Sequence, residues 1–259
     1  MAAPNRLALS DNLPFMRTLP DASIDLIYAD PPFFTRRQHT AFSDVWPGGI
    51  AAYTDWLAVR LREMHRLLKP SGSLVVHCDW HASHYIKVAL DQIFGYQRFV
   101  NEIVWCYKSG GASPRRRFSR KHDVLLWYAK ERDYYFAAPS EKSYNRGRKP
   151  YRFAGVAEYE DQNGWYTVVG MKDWWEMDMV GRTSRERAGY PTQKPLKLLE
   201  RVVEAGCPAG GVVADFFCGS GTTAVAAQRL LRRWIACDES PEAVRLTRER
   251  LEQEVAKAP

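Results

Sequence analysis

The chain has 259 residues, 46% of them apolar, with 37 Lys/Arg against 30 Asp/Glu for a net charge of +7. This length and apolar share suit one large α/β domain, or a domain with a modest second lobe, and exclude a chain dominated by disorder. No run of roughly eighteen apolar residues is present to span a bilayer, and the opening MAAPNRLALSDNLPF lacks the basic-then-apolar pattern of a signal peptide, so a soluble cytoplasmic protein with no membrane partner is expected.

RLALSDNL reads as a short strand and IDLIYADPP as a second one that stops abruptly. Ile24, Leu26 and Ile27 are strand formers, whereas Pro31 and Pro32 cannot donate to a ladder and hold φ at about −65°. Asp30 therefore ends a strand on a rigid elbow, the position at which open α/β sheets bind ligands. AAYTDWLAVRLREMHRLLKPSG has helical spacing at Trp56, Val59, Met64 and Leu67 before a Pro-Ser-Gly stop. SLVVHCDW is a third strand, ASHYIKVALDQIFG a helix ended by Gly95, and RFVNEIVWCY and HDVLLWYAK are two strands flanking a basic loop. From about 131 to 189 the periodicity fades and Arg, Gly, Tyr and Trp accumulate, as in an inserted irregular lobe. The regular pattern resumes with YPTQKPLKLLERVVEAGC as helix, GGVVADFF as strand, GTTAVAAQRLL as helix, RRWIACDES as strand and PEAVRLTRERLEQEVAK as a closing helix with Pro241 in its first turn. Such alternation predicts a doubly wound, mainly parallel α/β sheet with helices on both faces.

Cys78, Cys106, Cys207, Cys218 and Cys237 are scattered and never form a CxxC pair, so they read as reduced, mostly buried fillers. HCDWHASHY offers His77, Cys78, His81 and His84, but the first two finish a strand and the last two enter a helix. No metal is expected there, since polar strand ends occur in any such crevice. The charge is uneven: residues 108–157 hold 13 Lys/Arg and 4 Asp/Glu, leaving 24 against 26 elsewhere. Within that window KSGGASPRRRFSRKH contains Arg115, Arg116, Arg117, Arg120 and Lys121 and no acid, with Gly110, Gly111 and Pro114 keeping it irregular. KSYNRGRKPYR adds Arg146 and Arg148 between tyrosines. Phosphate contact is the natural task of such segments, and counterion release makes it salt-sensitive.

VVADFFCGSGTTAVAAQ sets Gly219 and Gly221 between a buried strand and a helix, with Ala224 completing G-x-G-x-x-A. Glycines there permit a tight turn and close backbone approach to a ligand. Asp238 ends the next strand, 17 residues after Gly221, where an acid accepts hydrogen bonds from ribose hydroxyls. A P-loop is disfavoured because Thr222 and Thr223, not Lys, follow the glycines. For a dinucleotide fold, a single strand after the turn is too little chain, so the rest of the sheet must come from residues before it. The order is then permuted: the first two strands lie at the C-terminus, RLALSDN is the third and IDLIYADPP the fourth, so that Asp11 and Asp30 face one crevice.

On these residues the sequence resembles the amino-methylating DNA methyltransferases, specifically those whose catalytic motif precedes the cofactor motif. ADPPF resembles their D-P-P-Y/F tetrapeptide, FCGSGTT their F-x-G-x-G turn, and GYPTQKP their segment just upstream of it. The likeness spans nearly all of residues 7–250, weakest between about 131 and 170. It implies a seven-stranded-type Rossmann-like sheet, circularly permuted, with a catalytic part over 1–130, a target-recognition insertion over 131–189 to which the basic loop 108–122 contributes, and a cofactor part over 190–259. The implied methyl donor is S-adenosyl-L-methionine. The resemblance further implies that Phe217, Gly219 and Gly221 line its methionine and ribose end, with Ser220 and Thr222 also binding the cofactor, that Asp238 holds the ribose and Asp11 the adenine amino group, and that Lys194 pairs with its carboxylate. Phe33 stands where many members have Tyr, and Phe216 where Pro is common; stacking needs a π face and no hydroxyl, so Phe33 suffices.

The implied reaction is methylation of adenine N6 in duplex DNA. The Asp30 carboxylate and Pro31 carbonyl accept the two N–H bonds of a flipped-out amino group, Pro32 stiffens the elbow, and Phe33, with Phe34 second, stacks on the base. Cytosine N4 methylation is the alternative, since members with that activity usually carry Ser in place of Asp30. A DNA-binding subunit without catalysis and an NAD-linked oxidoreductase are further readings, disfavoured by the intact motifs and by the basic segment respectively. Besides double-stranded DNA, the resemblance admits a second copy of the chain and a cognate restriction endonuclease as partners.

Overall fold

The computed structural model describes residues 5–38, 44–108 and 115–257. A strand β1 (Arg6–Leu9) and short helix α1 (Asn12–Arg17) lead into β2 (Ile24–Ala29), buried at every position as a parallel strand covered on both faces must be. Its one acid, Asp25, is satisfied by Lys69 and by the Val212 amide. Helices α2 (Gly49–Leu67) and α3 (Ser83–Phe94) flank β3 (Leu68–Cys78); β4 (Phe99–Cys106) and β5 (His122–Ala129) follow. The lobe contributes β6 (Ser140–Tyr144), β7 (Tyr159–Asp161), β8 (Gly164–Gly170) and β9 (Trp174–Glu176). After it come α4 (Leu196–Gly206), β10 (Val212–Asp215), α5 (Thr222–Arg229), β11 (Arg233–Asp238) and α6 (Pro241–Lys257). Among the described residues, no helix is long and apolar enough to cross a membrane.

The sheet order begins β1-β11-β10-β2-β3 and all four of these pairings are parallel. The C-terminal strands β10 and β11 thus sit inside the sheet, between the N-terminal β1 and β2, which is the permuted arrangement. β5 is antiparallel to both β3 and β4. Alternate residues separate two cores: Ile27, Leu126 and Tyr128 pack with α1, α2 and α3, whereas Leu26, Tyr28, Leu125 and Trp127 pack with α4 and α5. The sheet is doubly wound because each strand alternates its side chains between these two faces.

Two features differ from the sequence expectation. Pro70-Ser71-Gly72 is not a loop after α2 but part of β3, whose register against β2 shifts between Ile24 and Leu26. An irregularity of this kind is where a ladder tolerates proline. The 131–189 lobe, expected to be irregular, instead forms a separate antiparallel sheet of order β6-β8-β7. Its last strand, β9, leaves that sheet and pairs with β4 as an eighth strand of the main one. The small sheet is held by the ring of Tyr166, 5.5 Å from Tyr144 and 5.7 Å from Tyr159. Its strands bury little, so they lack the apolar alternation that announces a strand in sequence.

Candidate active site

The carboxyl ends of β1, β11, β10 and β2 open into a cleft of about 1160 Å³, solvent at the mouth included. β10 has β11 on one side and β2 on the other, so the cleft lies where the strand order reverses. Of the sequence-predicted catalytic and cofactor residues, Asp11, Asp30, Pro31, Pro32, Phe33, Lys194, Phe217, Gly219, Ser220, Thr222 and Asp238 line it. Gly221 does not: it lies behind the turn, with φ at +75°, where an added Cβ would meet the buried Thr247.

The glycine turn is braced by acids. Gly219, with φ at +49°, donates its N–H to Asp238 Oδ2 (2.9 Å), and Ser240 N–H donates to Asp238 Oδ1 (2.9 Å). Asp11 caps α1 by accepting from Leu13 N (2.7 Å) and pairs with Arg60 Nη2 (3.0 Å). Arg60 Nε donates to Asn12 Oδ1 (2.7 Å), whose amide donates to the Phe216 carbonyl (3.1 Å). The Arg60 guanidinium also lies 4.0 Å from the Trp56 ring centre, and that ring is 5.9 Å from Phe217. No motif marks Trp56 or Arg60 as a cleft residue; their i,i+4 spacing on α2 is the signal that places them on one face. The carboxylates of Asp11 and Asp238, the rings of Trp56 and Phe217 and a floor at Gly219, where a Cβ would come within 3.1 Å of Tyr190, make a cleft suited to a cationic nucleoside.

Around the elbow, Asp30 Oδ2 accepts from Lys194 Nζ, while Oδ1 is buried and has no hydrogen-bond partner among the described residues. Lys194, which the motif resemblance directs to a cofactor carboxylate, here faces the Asp30 carboxylate, the pairing expected of opposite charges in a partly buried site. The Pro32 carbonyl accepts from Tyr53 Oη (2.7 Å); among the described residues nothing donates to the Pro31 carbonyl. Phe34 and Arg36 adopt φ of +63° and +60°, a conformation costly for a residue with a Cβ. The buried Asp44 offsets it, accepting from Phe34 N (2.9 Å), Thr35 N (2.6 Å) and Trp46 Nε1 (3.1 Å). Phe34 is thereby turned into the core against Tyr53, which removes it as a second stacking ring; Phe33 remains at the cleft, 5.3 Å from His77.

With this geometry in place, a profile of the N6/N4 methyltransferase family, described as DNA methylase, matches residues 24–249. The chain belongs to that family. The methylase is 29% identical to the type II methyltransferase M2.DpnII of Streptococcus pneumoniae, over 96% of this chain and 90% of that one. It is 27% identical to the DNA adenine methyltransferase YhdJ of Escherichia coli (strain K12), over 93% and 81%. Two solved structures share its fold. One is the cytosine-N4-specific PvuII DNA methyltransferase, with a TM-score of 0.69 at 18% identity over 99% of this chain and 92% of that one. The other is the putative DNA modification methylase TTHA0409 of Thermus thermophilus complexed with S-adenosyl-L-methionine, with a TM-score of 0.64 at 24% identity over 98% and 96%.

The basic residues of the methylase divide between two places. Arg115, Arg116 and Arg117 are exposed, and Arg120 stacks over the exposed Trp80 ring at 3.3 Å, just beyond the carboxyl end of β3. The Lys121 carbonyl accepts from Tyr107 N (3.0 Å). Arg146 and Arg148 instead occupy the turn after β6 in the small sheet. Gly110, Gly111 and Pro114 lie outside the described residues. Of the possible metal-type cluster, His77 is buried under Asp30 and His81 pairs with Asp79 (2.8 Å).

Asp215, at the end of β10, is another cleft residue that no motif marks. It accepts from Phe217 N (2.9 Å) and from Thr223 Oγ1, yet burial pushes its carboxyl from 3.8 up to about 7. The stability this group contributes is complete below the unfolded value and is lost as pH rises through about 7, because only the folded state then holds the proton. Three pH units correspond to roughly 4 kcal/mol. Asp215→Asn, which does not titrate, should therefore raise Tm relative to the parent protein by several degrees more at pH about 8 than at pH about 5. Thermal unfolding at the two pH values checks this; an equal difference at both would refute it.

Proposed function

We propose that the methylase transfers the methyl group of S-adenosyl-L-methionine to adenine N6 of a base flipped out of duplex DNA. The observation that carries this reading is the elbow itself: a strand-end carboxylate with one buried oxygen that has no hydrogen-bond partner among the described residues, beside a carbonyl to which none of them donates. A ring amino nitrogen is a poor nucleophile because its lone pair is delocalised. Asp30 and the Pro31 carbonyl, each accepting one N–H, favour a pyramidal nitrogen with its lone pair directed outward. Phe33 offers a face for the flipped base, and Tyr53 on the Pro32 carbonyl keeps the elbow from relaxing. When bound, S-adenosyl-L-methionine supplies an activated methyl group on sulfur. Asp11, Phe217, Gly219, Ser220, Thr222 and Asp238 are assigned to hold it, with Gly221 shaping the turn and Lys194 free to move from Asp30 to its carboxylate.

Adenine is favoured over cytosine by the acid at position 30 and by the adenine relative YhdJ, while the PvuII structure keeps cytosine N4 as the second reading. Incubation with labelled methyl donor and duplex DNA, followed by digestion to nucleosides, distinguishes them: label in N6-methyladenine is expected, and label in N4-methylcytosine overturns the base assignment. The lobe over 131–189, with the loop 108–122, is assigned to DNA reading. Replacing Arg115, Arg116 and Arg117 together by Ala should weaken DNA binding and lower the slope of log affinity against log salt by about 0.9 for each phosphate that is no longer neutralised. Titration at several salt concentrations checks this, and an unchanged slope would return the run to ordinary surface. The type II relative supports a restriction endonuclease of the same site as a companion.

A further inference from the structure

The methyl transfer proposed above leaves a proton to be placed, and the residues beneath Asp30 are arranged to take it. When the amino nitrogen's lone pair forms the N–C bond and the S–C pair leaves with sulfur, the nitrogen becomes cationic with two hydrogens. One proton must depart to give the neutral methylamine. Asp30 is the acceptor already bonded to that nitrogen through the outer oxygen that Lys194 leaves when it turns to the cofactor's carboxylate, while the inner one, Oδ1, is buried. What Oδ1 faces is His77 Nδ1, at 3.7 Å.

His77 is fully buried in β3 and carries a continuous chain of partners. Tyr28 Oη lies 2.7 Å from Nδ1, Asp123 Oδ2 lies 3.1 Å from Nε2, and Tyr107 donates to Asp123 Oδ1 (2.9 Å). Burial alone would raise Asp123, but the hydrogen bond from His77, with the Lys194 cation and the Tyr107 hydroxyl, holds it below the usual carboxylate range, so it is an anion. Burial keeps the Tyr28 phenol well above its ordinary value, so it stays protonated. The network then assigns the tautomer: Nε2–H donates to Asp123, and Nδ1 accepts from Tyr28. The imidazole also meets the uncharged rings of Phe33 and Trp105, Lys194 stands on the far side of Asp30 as the cation of the cluster, and Cys78, next in β3, points to the opposite face of the sheet.

We infer that His77, backed by Asp123, is the positioning residue that receives the reaction's proton from Asp30 and returns Asp30 to its carboxylate form. The proton passes from the Asp30 carboxyl to Nδ1; the Tyr28 hydroxyl turns from donor to acceptor, and the resulting imidazolium lies against the Asp123 anion. One proton is lost by the substrate nitrogen and one is held by His77, so charge balances until the cleft reopens to solvent. His77 touches no substrate atom in this scheme and acts only through Asp30.

This inference rests on the proposed reaction, and one experiment separates the two. Single-turnover methyl transfer to unmethylated bacterial genomic DNA is followed from pH about 5 to about 9 with saturating labelled S-adenosyl-L-methionine, for the parent protein, His77→Gln and Asp123→Asn. Binding of S-adenosylhomocysteine and Tm are measured for each. The parent protein should show an acidic limb of unit slope, since a protonated His77 cannot accept. His77→Gln should be about 100-fold slower on the plateau and lack that limb. Asp123→Asn, which withdraws the anion from the imidazolium, should move the limb to lower pH. A His77→Gln profile of unchanged shape, merely scaled, overturns the inference, as does an unmoved limb in Asp123→Asn. The Asp123 variant decides alone if the His77 variant does not fold. A parent protein that transfers no methyl group to DNA overturns the reaction as well.

Discussion

Asp30→Ala is expected to lower methyl transfer by at least about 1000-fold while S-adenosylhomocysteine binding changes by less than about tenfold. The variant removes the charged acceptor that localises the nucleophile's lone pair and the first stop for its proton, leaving only the Pro31 carbonyl. Cofactor affinity is retained because the acids and ring assigned to it, Asp11, Asp238 and Phe217, come from other elements. Lys194 loses its carboxylate partner and keeps only the Thr192 carbonyl (3.3 Å); its side chain is largely buried, so a lower Tm is expected as well and cofactor binding is the control for folding. Tritium transfer from labelled donor to DNA, with calorimetric titration of S-adenosylhomocysteine on the same preparation, measures both. Parent-level transfer by this variant would remove the elbow from the chemistry.

Gly221→Ala should produce the largest loss of stability and of cofactor affinity among substitutions of a single hydrogen by a methyl group. Two costs add there. The φ of +75° is unfavourable for alanine by roughly 1–2 kcal/mol, and the new Cβ would lie 2.5 Å from Thr247 Cγ2 and 2.8 Å from its Cβ, forcing α6 away from the turn at roughly a further 1–3 kcal/mol. Thr247 is fully buried and its hydroxyl donates to the Gly219 carbonyl (3.1 Å), so displacing it disturbs the part of the turn that lines the cleft. Gly210→Ala provides the comparison: its φ is +71° but nothing lies within 4 Å of the added carbon, so it carries the backbone cost alone. Chemical denaturation should rank Gly221→Ala well below Gly210→Ala, and only the former should weaken S-adenosylhomocysteine binding, by about tenfold or more. Equal effects of the two variants would refute the steric account.

The elements around the cleft are legible in the sequence because their signals are local. A strand buried on both faces must be apolar almost throughout, as Ile24–Ala29 is, and the residues that stop it must be unable to continue a ladder, as Pro31 and Pro32 are. The permuted order follows from the same logic: one strand after the glycine turn cannot complete a sheet, and β10 and β11 do lie between β1 and β2. The lobe is opaque because its short strands are half-exposed and its β9 borrows an edge, β4, that lies far earlier in the chain.

The α/β alternation, the position of Asp30 on a stiff elbow and the glycine turn are thus written in the chain itself, each a consequence of backbone restrictions acting over a few residues. Which side chains meet is settled only by the folded arrangement. Lys194 reaches Asp30 across 164 positions, Arg60 reaches Asp11 across 49, and His77 joins Tyr28 to Asp123 across 49 and 46. Phe33 and Phe34 are neighbours of the same type, yet one lines the cleft and the other fills the core, because the Asp44 carboxylate holds the backbone at Phe34 in a left-handed turn. Side-chain pairing over such separations depends on the parallel sheet bringing the strand ends to one edge, and no local propensity encodes it.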